Sequence, residues 1–129
     1  MNIFDNMSPE ERSLIYKDFY TRLYYTPCIF NYNYEHEEYA DFSDLEEYNN
    51  FKVFLRRMSD MTSNEKIEFG KLMYHVQESF INAYGSGGYS LAFTALTDWL
   101  NEHMFDYRGL IDKGLALGAP KSMYTFDSE

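Results

Sequence analysis

The sequence predicts a mainly α protein: a single-domain helical bundle of four to five helices, with a short extended or β-hairpin insertion around residues 29–39. Three observations lead there. A chain of 129 residues fits one domain and leaves little room for two. Ser/Thr-x-x-Glu capping boxes occur three times, at Ser8–Glu11, Ser43–Glu46 and Thr62–Glu65. Behind each box, apolar residues return at spacings of three and four, the helical repeat.

In the first box Pro9 takes the first helical position, where its missing N–H costs nothing. Leu14, Ile15, Phe19 and Leu23, with Tyr16, Tyr20 and Tyr24, then form a broad apolar face. Thr26-Pro27 ends the helix, because a residue before proline avoids helical geometry. Phe30, Tyr32 and Tyr34 alternate with Asn31, Asn33 and Glu35, a period of two that marks extended backbone. The second box predicts a helix carrying Leu45, Tyr48, Phe51, Phe54, Leu55 and Met58. Acids stand at its start and Lys52, Arg56 and Arg57 at its end, as the helix dipole favours. The third predicts a helix with the stripe Phe69, Leu72, Met73, Val76, Phe80 and Tyr84, closed by Gly85-Ser86-Gly87-Gly88. A fourth runs from about Ser90 to His103, with Leu91, Ala95, Leu96, Trp99, Leu100 and Met104 inward. A short fifth, Tyr107 to Leu117, is interrupted by Gly109 and Gly114, and residues 118–129 read as a tail.

Searches for catalytic and cofactor motifs give weak matches only. Gly85–Gly88 has glycines but neither the lysine nor the preceding strand of a phosphate loop, and no G-x-S-x-G elbow is present. Cys28 stands next to an acidic stretch, which raises a thiol pKa instead of activating it. A carboxylate–histidine metal cluster would draw on His75, Glu78, Asp98, Glu102 and His103, of which Asp98 and Glu102 share a helical face. Solvated helix faces explain these residues better. The expectation is a non-enzyme with no metal and no cofactor.

Charge carries the main signal. The chain has 11 basic and 21 acidic side chains, a net charge of −10. That disfavours direct binding to nucleic acid or to an anionic membrane, both of which run on Lys and Arg. Seven of the acids fall between residues 35 and 47 with no Lys or Arg among them: Glu35, Glu37, Glu38, Asp41, Asp44, Glu46 and Glu47. The helix dipole accounts for Asp44, Glu46 and Glu47; solvation of a loop is the plain account of the others. Aromatic residues make up 19% of the chain, and Tyr32, Tyr34, Tyr39, Phe42 and Tyr48 lie within or beside the acidic run. Carboxylates interleaved with rings imitate the charge and stacking faces of a nucleic-acid strand. The single cysteine, the absence of a basic-then-apolar start at Met1–Glu11 and the lack of a long apolar run point to a cytoplasmic protein.

In composition, over this patch, the chain resembles phage proteins that block restriction or CRISPR nucleases and bacterial proteins that neutralise nuclease toxins. The resemblance implies a small inhibitor in a bacterial cytoplasm whose partner is a protein with a basic nucleic-acid-binding surface. Glu35, Glu37, Glu38, Asp41, Asp44, Glu46 and Glu47 would supply the field, with Tyr32, Tyr34 and Tyr39 as anchors. The alternatives are a helical structural or adaptor subunit that forms a homodimer through surplus Tyr and Phe, and a carboxylate–histidine metalloprotein.

Overall fold

Helices flank a four-stranded mixed sheet, so the chain is a mixed α/β protein and not the all-α bundle that the capping boxes predict. The computed structural model describes residues 2–82 and 86–124, leaving out the side chains of 82 and 86–89. The sheet order is β2-β1-β3-β4, where β1 is Cys28–Asn31, β2 His36–Tyr39, β3 Phe51–Leu55 and β4 Leu117–Gly118. Strand β1 pairs antiparallel with both β2 and β3, and β4 joins β3 in parallel. The period-two segment does form a hairpin. Far from being an insertion, it supplies a central strand.

Helix α1, Pro9–Arg22, begins at its capping box: Ser8 Oγ accepts from the Glu11 N–H at 3.1 Å, and the Glu11 carboxylate accepts from the Ser8 N–H at 2.9 Å. Its Ile15 and Phe19, with Leu23 beyond it, cover one face of the sheet, meeting Ile29, Phe51, Val53 and Leu55. On the other face Cys28 and Phe54 pack with Met104 and Tyr124.

The predicted second helix fails. Asp41, not Ser43, caps the segment by accepting from the Ser43 N–H, and only a 3-10 segment forms, Phe42–Glu47. The following Phe51–Leu55 is strand β3. Positions 48, 51, 54, 55 and 58 satisfy a helical repeat, but Phe51-Lys52-Val53-Phe54-Leu55 is buried on both faces, as a central strand must be. Burial against α1 decides between the two periods.

The predicted fifth helix is replaced by turns. The Asp106 carboxylate accepts from the Leu110 and Ile111 N–H groups at 2.7 and 2.9 Å. Gly109 and Gly114 take φ of 72° and 74°, a left-handed geometry that glycine adopts without strain. The stretch read as a tail is docked as far as Tyr124, whose hydroxyl donates to the Phe54 carbonyl at 2.8 Å and accepts from the Cys28 N–H at 2.7 Å.

Helices α2, Ser63–Asn82, and α3, Ser86–Glu102, form an antiparallel pair. The Thr62 box is intact, with the Glu65 N–H donating to Thr62 Oγ1 at 3.1 Å. Glu65 also receives a bidentate pair from Arg56, at 2.7 and 2.8 Å, which ties the pair of helices to the end of β3. Phe69, Leu72 and Val76 meet Leu96, Trp99 and Leu100 above Phe105. Helix α3 begins at Ser86, so Ser86–Gly88 open it instead of closing the helix before, and the predicted start near Ser90 is four residues late; Tyr84 and Gly85 lie outside the described residues. Met73, Phe80 and Leu91, expected inside, are exposed. Among the described residues no helix is long and apolar enough to cross a membrane.

Candidate partner-binding site

The acidic run occupies one border of the sheet. Strand β2 is an edge strand, and its register places Ile29 opposite Glu38 and Phe30 opposite Glu37. Side chains alternate along a strand, so Glu38 lies on the α1 side and Glu37 and Tyr39 on the other. The run is therefore not a single-file stripe. Its carboxylates wrap both sides of an edge, and Asp44, Glu46 and Glu47 continue it into the adjoining 3-10 segment.

Local chemistry fixes this border. Glu35 sits in the 32–35 turn with φ 54°, a left-handed conformation unusual for a side chain with a Cβ. An asparagine network anchors the turn. Asn33 Nδ2 donates to Asn49 Oδ1 at 2.7 Å, Asn50 Nδ2 to Asn33 Oδ1 at 3.0 Å, and buried Asn31 Nδ2 to Glu38 Oε1 at 2.7 Å. The second oxygen of Glu38 is 3.4 Å from His36 Nε2. Asp41 accepts from the hydroxyl and the backbone N–H of Ser43, and these bonds hold its pKa below the ordinary value. The return to β3 is secured by Tyr48, which is buried edge-on against Phe19 at 5.5 Å and takes the Asp41 N–H at 3.1 Å.

Among the described residues no Lys or Arg pairs with any of the seven carboxylates, and all but the half-buried Glu38 are exposed. Phe30 stands between Glu37 and Lys52 across three strands, so even that cation does not pair. Unneutralised carboxylates this close together sum to a strong negative potential.

The rings divide into two groups. Tyr34, stacked at 5.8 Å on His36, and Tyr39, 61% exposed, present faces to solvent. Tyr32 does not behave as a surface anchor, because it is half-buried against Phe30 at 4.8 Å and burial raises its pKa. Phe42, one of the rings within the acidic run, is exposed between the acids, and so is Leu45, which the helical reading turned inward. The carboxylates flanking Leu45 were the available signal, since an inward face would not be so tightly bracketed by charge.

A cleft of about 310 Å³ lies beside Glu37 and Tyr39, closed by Cys28, Pro120 and Met123. Burial, then Glu37 and Glu38, push the Cys28 thiol up to about 11, so it stays protonated at neutral pH. The candidate metal residues do not assemble. His103 is buried, stacked on Trp99 at 4.3 Å, with Nδ1 2.9 Å from the Trp99 carbonyl, whereas His75 is exposed. Among the described residues no three His, Cys, Asp or Glu side chains are placed to hold a metal ion. Comparison with protein-family models, curated proteins and solved structures finds no match for the chain.

Proposed function

We propose that this protein is an inhibitory binding protein whose β2 border imitates a nucleic-acid strand and occupies the basic groove of a nuclease or a related nucleic-acid-handling protein. The observation that carries the reading is the pairing pattern: seven carboxylates on one border, none neutralised by Lys or Arg among the described residues, beside exposed Tyr34, Tyr39 and Phe42. Asp41 caps the 3-10 segment and Glu38 bonds Asn31, but none of the seven is tied to a Lys or Arg among the described residues, as Asp18 and Glu65 are. Like charges held together without partners repel, and a basic surface relieves that repulsion. The field would speed encounter by roughly 10–1,000-fold at low salt, and the rings would slow departure. The chain acts by occupancy, in a cytoplasmic setting, and performs no chemistry of its own.

The test is capture from bacterial lysate on immobilised protein, eluted with a salt gradient. A basic nucleic-acid-binding protein should be retained, released at moderate salt and displaced by added duplex DNA or RNA. A Glu37→Lys/Glu38→Lys bait should lose it. Retention that ignores both the substitutions and the competing duplex would rule the reading out.

A further inference from the structure

Strand β2 ends the sheet, and its outer side carries backbone groups that the sheet does not use. In an antiparallel ladder, opposed residues alternate between pairs that exchange both hydrogen bonds and pairs whose N–H and C=O groups point away from each other. Two bonds that continue the ladders fix this alternation. The Ala40 N–H donates to the Pro27 carbonyl at 2.9 Å, just beyond the Cys28–Tyr39 pair, and the Tyr32 N–H donates to the Asn50 carbonyl at 2.8 Å on the β3 side. His36 and Glu38 therefore turn their backbone groups toward Asn31 and Ile29, whereas Glu37 and Tyr39 turn theirs outward. Both outward residues are exposed.

Such an edge invites another strand, and proteins commonly blunt it with Pro, Lys or a bulge. His36-Glu37-Glu38-Tyr39 contains neither Pro nor Lys, and it pairs with β1 residue for residue without a bulge. Beside it lies the cleft of about 310 Å³ lined by Cys28, Glu37, Tyr39, Pro120 and Met123. The cleft is on the face of the sheet toward which Glu37 and Tyr39 project. The Tyr39 hydroxyl donates to the Met123 carbonyl at 3.3 Å, which sets the ring as one wall of the cleft.

We infer that β2 accepts an added strand: an extended segment of the partner, with Lys or Arg at alternate positions, pairs with the outward backbone groups of Glu37 and Tyr39 and sets a cationic side chain in the cleft beside Glu37. The inference rests on the border being a site for a basic protein, and it adds how that protein is held. In strand addition the main-chain bonds supply affinity and the alternate side chains supply selectivity. Charge complementarity selects the occupant. A residue bonded directly opposite Glu37 shares its face, so a cation there lies within cross-strand reach of the carboxylate. A second copy of this chain fits badly. Antiparallel registers centred on Glu37 or Glu38 set a carboxylate against its own counterpart, and like charges directly opposite destabilise a pair.

The probe that tests this is a synthetic peptide of alternating Lys and Val with blocked ends, titrated into the full chain and followed by amide NMR. Binding should slow hydrogen exchange at the Glu37 and Tyr39 amides at least tenfold and leave Glu38, already bonded to Ile29, nearly unchanged. Two N-methylated peptides separate pairing from charge, one methylated on its lysine amides and the other on its valine amides. One of them should lose at least tenfold in affinity and the other little, because only alternate amides of an added strand face β2. Equal affinities for the two, unaltered exchange at Glu37 and Tyr39, or no binding at millimolar peptide would each overturn the inference. Equal affinities would leave the border standing as a purely electrostatic site, whereas a failed lysate capture would remove the reading of the border itself.

Discussion

The β2 border and the α2–α3 pair both expose large apolar side chains, yet one carries only carboxylates whereas the other mixes acids with Lys66 and Lys71. Tyr39 and Tyr74 are equally exposed, at 61% and 62%. Their surroundings separate them: Tyr39 stands among unneutralised acids, whereas Tyr74 bonds the only carboxylate in its stretch. An exposed ring therefore says little by itself. The charge around it marks which surface can attract a cationic partner.

The joint between the two regions is where the comparison breaks most easily. Arg56 follows β3, Glu65 opens α2, and the pair is almost wholly buried. Glu65→Ala should destabilise the chain by about 3–5 kcal/mol in chemical denaturation, because a buried guanidinium loses its partner. The same pair sets an acid limb. Burial opposes the Glu65 charge, but the Arg56 bonds, the Thr62 N–H and nearby positive charge outweigh it, so the folded pKa lies below the ordinary value. A depressed pKa gives stability that is present above the unfolded value, about 4.3, and is lost as pH falls through the folded one. Glu65→Gln should flatten that part of the pH–stability curve.

Loosening the acidic border alone sharpens the contrast. Asn31 is buried and holds both Glu38 and the 32–35 turn. Asn31→Ala should cost about 1–3 kcal/mol by leaving its partners unsatisfied. It should weaken capture of a basic partner.

A third experiment reads the border's field from inside. Cys28, at about 11, should alkylate slowly at pH 8, and Glu37→Gln/Glu38→Gln should quicken it by lowering the thiol pKa. Its contribution to stability is present below the unfolded value, about pH 8.5, and is lost as pH rises through about 11. The smallest effect belongs to the turn: Glu35→Asn should stabilise by about 0.5 kcal/mol, since Asn tolerates a left-handed backbone better.

Sequence made some of this visible and concealed the rest for physical reasons. Helix α1 and the start of α2 were legible because a capping box is a local signal, complete within four residues. Strand β3 was not. A strand buried on both faces has no polar alternation, and its neighbours happened to complete a helical repeat. The acidic run was legible as charge, but not as a border with Glu37 and Glu38 on opposite sides, because that depends on pairing with β1. Phe69, Leu72, Met73, Val76 and Phe80 read as one buried stripe, whereas Met73 and Phe80 are exposed.

The central claim concerns the field at the β2 border. Its most direct test is the association rate with the captured basic partner across a salt series, for the wild-type chain and for one carrying Glu37→Gln, Glu38→Gln, Glu46→Gln and Glu47→Gln. The account predicts a wild-type rate that falls steeply with salt and a variant rate at least tenfold lower and nearly flat. Equal rates with equal salt dependence would contradict it.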